Sequence, residues 1–290
     1  MACISLDKIE PLHVQRYYNY LFKTGKSSNI INNANKLLKQ FFNYCVDSGY
    51  MLKNPCDGKK ITIPKDHKND SNIIKDVPVF SNDEMKLILS LNEATKIRYI
   101  ALISYATGMR RGEILGLGED CINYEHNTIT TSRSVVTTYM YNDDGTKHKE
   151  TYLSDPKTYT STRDIPLPKS LIPILKAAQT LKKQDILKAG PSYNNKYIDL
   201  IFLSEDGNLI DASNLDKSWI YFLKRCGVQH KKFHALRHTY ATIQFENERP
   251  LLTVSKLLGH ASIDITASTY VHILKKEKEK AIDTLELLRV

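Results

Sequence analysis

Apolar side chains recur at three- and four-residue intervals through the first 63 positions. In PLHVQRYYNYLFKTG they are Leu12, Val14, Tyr18, Leu21 and Phe22, with Gly25 as a stop. In NIINNANKLLKQFFNYCVDSGY they are Ile30, Ala34, Leu37, Leu38, Phe41, Phe42 and Cys45, ended by Ser48 and Gly49. This spacing predicts two amphipathic helices, and Pro55 breaks any continuation. Tyr17, Tyr18 and Tyr20 read as a helical stripe turned into the core; stacking on nucleic-acid bases is the alternative use. The segment IPKDHKNDSNIIKDVPVF is polar, charged and bracketed by prolines, which makes 64–77 a linker.

A second region opens near residue 78. Ser81 and Glu84 form a capping-box pattern at the start of a helix. KIRYIALISYATG is an apolar helix closed by Gly108, and RRGEILGL begins another. Residues 121–167 are rich in Thr, Val and Tyr and contain the turn sequence NDDGTKH, which predicts short antiparallel strands with a hairpin at 142–146. The span 133–157 is long for a strand, turn and strand, and reads as an inserted hairpin. From 168 the helical pattern returns. The expected fold is mainly α with a small antiparallel β-sheet: a helical domain over 1–63, the linker 64–77, and a mixed α/β domain over 78–290.

Charge adds a partner. The chain of 290 residues carries a formal net charge of +9, spread along its length. A folded protein this basic predicts a polyanionic partner, most simply nucleic acid. Cys3, Cys45, Cys56, Cys121 and Cys226 are odd in number and scattered without a CxxC pair, which fits reduced thiols and not a disulfide framework. The N-terminus has no apolar leader, and no run of about 18 apolar residues exists to span a membrane. These features make a membrane role unexpected and a cytoplasmic one expected.

Four stretches carry chemistry. In FHALRHTYAT, His234 and Arg237 share a helix face at i and i+3. Cys226, His230, His234 and His238 also step by four, a spacing that zinc uses. Gly227, the HKK run and the cationic Arg237 argue against zinc. Arginine suits a phosphate, and satisfied structural histidines are the plainer reading. In ATGMRRGEILGL, Arg110 opens a helix after a glycine turn, where backbone N–H groups favour anions. Glu113, three residues on, either orients that guanidinium or makes a structural pair with it. In LLGHASIDITASTYVH, Gly259 ends a helix, His260 follows, and Tyr270 lies in a Thr/Ser-rich segment. In DPKTYTSTRDIPLP, Lys157 occupies a turn between strands, with Lys147 and Lys149 nearby as competitors.

Taken in order, the TGMRRGE turn, a lysine between strands, HALRH, LGH and the final tyrosine resemble the tyrosine recombinase (phage-type integrase) family. The resemblance covers nearly the whole chain. It is most like integrases of conjugative transposons and Gram-positive prophages. RYYNYL…NNANKLLKQFFNYCVDSGYMLKNP resembles that family's helical core-binding (SAM-like) domain, and 78–290 its mixed α/β catalytic domain with a C-terminal docking helix. The resemblance implies that Arg110, Lys157, His234, Arg237 and His260 activate a DNA phosphate, that Glu113 supports Arg110, and that Tyr270 is the nucleophile. Tyr240 is not the nucleophile on this alignment of motifs. No metal, cofactor or ATP is implied. The implied reaction is site-specific cutting and rejoining of double-stranded DNA through a 3′-phosphotyrosine, for integration and excision of a mobile element. A Xer-like chromosome resolution recombinase and a non-catalytic DNA-binding protein on the same fold are the alternatives. RNA binding, open from charge alone, leaves Tyr270 without a role.

The family also implies a homotetramer on synapsed DNA in the bacterial cytoplasm, on the nucleoid. An excisionase or host DNA-bending protein is a further partner of the kind the resemblance allows. Ala281, Ile282, Leu285 and Leu288 form a short apolar stripe after a charged run; so short a helix must dock, either on its own domain or, as the resemblance implies, on a neighbouring protomer. Many larger members carry a further N-terminal arm-binding domain, and this chain starts directly at the core-binding region.

Overall fold

The structure is a computed structural model that describes residues 4–57, 61–64, 77–155 and 162–270. The chain divides into two compact units, Met1–Lys75 and Asp76–Val290. The first is a pair of helices, α1 (Pro11–Lys23) and α2 (Ser28–Asp47). Pro11 sits in the first turn of α1, where a missing N–H costs nothing. Val14, Tyr18, Ile31, Phe42 and Cys45 form the core between them. The Tyr18 hydroxyl donates to Asn35 Oδ1 at 3.0 Å, which satisfies its polar end inside that core. The Gln15 side chain pairs with both backbone groups of Thr62, drawing 61–64 alongside α1.

The tyrosine stripe is corrected by this packing. Only Tyr18 is buried; Tyr17 and Tyr20 are exposed, as are Leu12, Ile30, Leu37 and Phe41. Two helices with one short strap bury a narrow seam each, so the apolar set is wider than the core that forms.

In the second unit, α3 (Asn82–Ser90) starts at the expected capping box: Ser81 Oγ accepts from Glu84 N at 3.2 Å and Glu84 Oε2 from Ser81 N at 2.8 Å. Helix α4 (Lys96–Thr107) is buried nearly all round and ends at Gly108, whose φ of 66° permits the left-handed cap. Arg110 is the N-cap of the short α5 (Arg111–Leu115). Strands β1 (Ile122–Asn123), β2 (Thr128–Thr131) and β5 (Arg163–Pro166) make a three-stranded antiparallel sheet. Strands β3 (Ser134–Tyr141) and β4 (Lys147–Ser154) make a separate hairpin, paired from Ser134↔Ser154 to Tyr141↔Lys147. The expected single sheet is therefore two, and the long 133–157 span is the reason. Its turn is closed by Asn142 N–H donating to Thr146 O at 2.8 Å, with Gly145 at positive φ.

Helices α6 (Ile172–Ala189), α7 (Ala212–Arg225), α8 (Ala235–Glu246), α9 (Leu251–Leu258) and α10 (Ile263–Thr269) complete the unit. Trp219 on α7 lies in an aromatic group with Phe80, Phe222 and Phe233, and its indole N–H donates to Lys231 O at 2.8 Å. Phe233 is thereby anchored one residue before His234, which fixes where α8 begins. Among the described residues no helix is long and apolar enough to cross a membrane.

Candidate active site

Two helix ends converge on α8. At the end of α4, Gly108 O accepts from Arg237 Nη1 at 2.8 Å; at the end of α9, Leu258 O accepts from Arg237 Nη2 at 2.6 Å. C-terminal carbonyls have no intrahelical donors, so a guanidinium is a fitting partner. Arg237 is 2% exposed. Burial, reinforced by repulsion from Arg110 and opposed by Glu113, lowers its pKa to about 9, so it stays cationic at neutral pH.

Arg110 belongs to the same turn. Its Nη2 donates to Gly259 O at 2.8 Å and its Nη1 to Glu113 Oε1 at 2.9 Å, while Glu113 Oε2 accepts from the Arg110 backbone N–H. The two arginines therefore hang on consecutive carbonyls, Leu258 and Gly259, immediately before His260. Gly259 takes φ of 65° to make this turn. Arg110 is half-exposed, and an open cleft of about 630 Å³ lies beside it, lined also by Arg111, His230, Lys232 and His234.

Glu113 has a second cation that the sequence did not single out. Arg163, on β5, donates Nη1 to Oε1 at 3.0 Å and Nη2 to Oε2 at 2.9 Å, and its Nε donates to Leu257 O at 3.0 Å. Burial acts to raise the Glu113 pKa, but hydrogen bonds and charge from Arg163, with Arg110, outweigh it and hold it at about 2.

The histidines line the same space. His234 is the N-cap of α8, and its ring meets that of His238 edge-on at 4.5 Å. His260 Nδ1 pairs with Thr266 Oγ1 at 2.7 Å. His238 Nδ1 lies 2.9 Å from the Tyr270 hydroxyl. Burial and surrounding cations lower all three to about 4. For His234 the cations are Arg237, Arg110 and Arg111, and the residue itself remains exposed to solvent. All three are neutral at pH 7, so the fixed positive charge comes from arginine. Such a field suits a phosphate oxygen.

Tyr270 caps α10 and is 1% exposed, packed against Phe245 with ring centres 5.3 Å apart. Burial raises its pKa to about 12, against a lowering influence of Arg237. Tyr240 packs on the same apolar cluster and lies against Gly108, where an added Cβ would sit 2.5 Å from its ring.

The structure thus brings together Arg110, Glu113, His234, Arg237, His260 and Tyr270. Lys157 lies outside the described residues. Its competitors are engaged: Lys149 Nζ bonds Asp211 Oδ2 at 2.5 Å and Ser213 Oγ at 2.8 Å, and Lys147 lies over the Tyr139 ring near the hairpin tip. The four-residue steps from Cys226 to His238 do not form one helical face, because α7 ends at Arg225 and α8 starts at Ala235. Among the described residues no group of three His, Cys, Asp or Glu could hold a metal ion.

Residues 78–277 match the phage integrase family. A tyrosine recombinase XerC-like protein of Caldanaerobacter subterraneus subsp. tengcongensis is 43% identical over 97% of this chain and 72% of its own length. The ICEBs1 integrase of Bacillus subtilis is 22% identical over the same shares. Among solved structures, the Tn1549 transposon integrase in complex with transposon right end DNA has a similar fold, with a TM-score of 0.69 at 20% identity, covering 96% of this chain and 87% of that one. With the matched family spanning more than half of its residues, the chain belongs to the phage integrase family of tyrosine recombinases.

Proposed function

We propose that this recombinase cuts and rejoins double-stranded DNA at specific sites through a 3′-phosphotyrosine on Tyr270, for integration and excision of a mobile element. The observation that carries this reading is the pair of guanidiniums, Arg110 and Arg237, held on adjacent carbonyls beside His260. A phosphodiester gains charge on its non-bridging oxygens in the pentavalent transition state. Two preorganised arginines stabilise that charge without reorganising. His234 and His260, neutral and at the rim, hydrogen-bond the phosphate. The tyrosine oxygen attacks in line and the 5′ oxygen leaves. Lys157 is the proposed acid for that leaving oxygen. The phosphotyrosine conserves the ester's free energy, so the reverse attack reseals the strand.

A duplex carrying a nick just 3′ of the cleavage point tests this. Cleavage releases a short fragment and traps the protein on DNA. A covalent adduct is expected from the native chain and none from Tyr270→Phe with DNA binding retained; a native chain that binds DNA without an adduct would leave only the non-catalytic reading.

Relatives favour each of two biological settings. The XerC-like relative supports a Xer-like resolution enzyme, whereas the ICEBs1 and Tn1549 integrases support mobile-element transfer. Recombination of element-end DNA in preference to a chromosomal resolution site is the result expected here. We also place the homotetramer's linking contact in 281–290: removal should leave half-site binding intact and abolish the synapse on native gels.

A further inference from the structure

The Tyr270 hydroxyl has one hydrogen-bond partner among the described residues, and it is none of the groups assigned above to the phosphate. His238 Nδ1 lies 2.9 Å from it, within the range for proton transfer. The two rings meet at 64° with centres 6.0 Å apart. His238 is one turn along α8 from His234 and adjacent to Arg237, so the helix that supplies the phosphate-holding arginine also supplies this contact. The other histidines are occupied or turned differently. His260 Nδ1 is taken by Thr266, and the His234 ring packs at right angles to that of His238.

From this geometry we infer that His238 is a catalytic residue: it accepts the phenolic proton as the Tyr270 oxygen attacks phosphorus. The inference rests on Tyr270 being the nucleophile. In the step, the Tyr270 O–H bond breaks and its proton passes to His238 Nδ1. The phenolic oxygen forms its bond to phosphorus while the bond from phosphorus to the 5′ oxygen breaks, and that oxygen takes a proton from the general acid. In rejoining, the 5′-hydroxyl attacks phosphorus and gives its proton back to the deprotonated general acid, while the bond from phosphorus to the Tyr270 oxygen breaks and the His238 imidazolium returns its proton to that oxygen.

The surroundings suit a group that must begin neutral. His238 is held uncharged by burial and, with its histidine neighbours neutral, by the charge of Arg237. With the ring proton on Nε2, Nδ1 has a free lone pair for the phenol. The phenol needs an acceptor because burial makes it a weak acid. Phosphate entry brings negative charge that offsets the local cations, so the same event that delivers the electrophile raises the basicity of His238.

The test uses the full chain and the nicked duplex. His238→Asn keeps an oxygen able to accept the phenol's hydrogen bond but cannot take its proton, and His238→Ala removes both. Cleavage by His238→Asn is expected to fall about 10²–10⁴-fold, the usual share of a general base, with DNA binding unchanged. A ring-fluorinated tyrosine at 270, whose phenol is more acidic, should then restore much of the lost rate, because an ionised nucleophile needs no acceptor. Native rates in His238→Asn, or no restoration by the fluorinated residue in a variant that binds DNA normally, would overturn the assignment. Restoration in His234→Asn instead would move the role to His234. If the nucleophile itself were misassigned, the adduct of the native chain would not map to position 270, an outcome separate from all of these.

Discussion

Arg163 and Glu113 meet through two parallel hydrogen bonds, Nη1 to Oε1 at 3.0 Å and Nη2 to Oε2 at 2.9 Å. The same carboxylate holds Arg110, and the same guanidinium reaches Leu257 O through Nε at 3.0 Å. Arg163 thus joins β5 to α5 and to the end of α9, the two places from which Arg110 takes its acceptors.

Arg163→Lys should therefore cost more in rate than in binding. An ammonium is a compact point charge without the planar fork that spans both carboxylate oxygens and the Leu257 carbonyl from separate nitrogens. Loss of that fork lets Arg110 shift, and a displacement of about 1 Å in a positioned group costs about 10²-fold in rate. Single-turnover cleavage beside a half-site binding titration measures both; equal losses would make Arg163 a general contributor to the fold.

Direct loss of a phosphate donor should be sharper. Arg110→Ala and Arg237→Ala should each lower cleavage about 10²–10³-fold, the effect of removing one transition-state donor. Binding should change less, since other cations contact the DNA backbone. Adduct formation with saturating protein separates the two effects.

The glycine turns that carry the acceptors should resist substitution. Gly259→Ala forces a side chain into φ of 65° and sets a Cβ 2.7 Å from Arg163 Nη1, itself only 9% exposed. Gly108→Ala does the same at φ of 66° against the Tyr240 ring. The backbone alone costs about 1–2 kcal/mol at each position. Urea unfolding of each variant should show at least that loss, together with slowed cleavage.

Acid should weaken the second unit in two stages. His234, His238 and His260 are held near 4 in the folded chain, against about 6.5 when unfolded. The unfolded state therefore binds more protons, and their contribution, complete above about pH 6.5, is lost as pH falls from 6.5 towards 4. Glu113, held at about 2, adds stability above its unfolded value and loses it as pH falls from about 4.5 towards 2. Thermal unfolding from about pH 7.5 to about pH 2 should show Tm falling from about pH 6.5 downward and falling further below about pH 4.5. Inorganic sulfate should offset that fall if the arginine field takes anions.

Much of this site was legible because its groups lie in short motifs at helix ends. TGMRRGE carries Gly108, Arg110 and Glu113, and LLGH carries Leu258, Gly259 and His260. What the sequence hides is partnership across distance. Arg163 is 50 residues from Glu113 and 94 from Leu257, and nothing in its local pattern sets it apart from any strand arginine. His238 reads locally as a satisfied structural histidine, yet its partner is Tyr270, 32 residues away. Tyr17 and Tyr20 are exposed where the stripe predicts core, because periodicity marks a face without saying how much of it another element covers.

The most direct measurement is to digest the covalent protein–DNA adduct trapped on the nicked duplex and identify the modified peptide by mass spectrometry. The account predicts a single phosphotyrosyl linkage at Tyr270, joined to a 3′ phosphate and absent in Tyr270→Phe. A linkage at Tyr240 or any other residue, or to a 5′ phosphate, would contradict it.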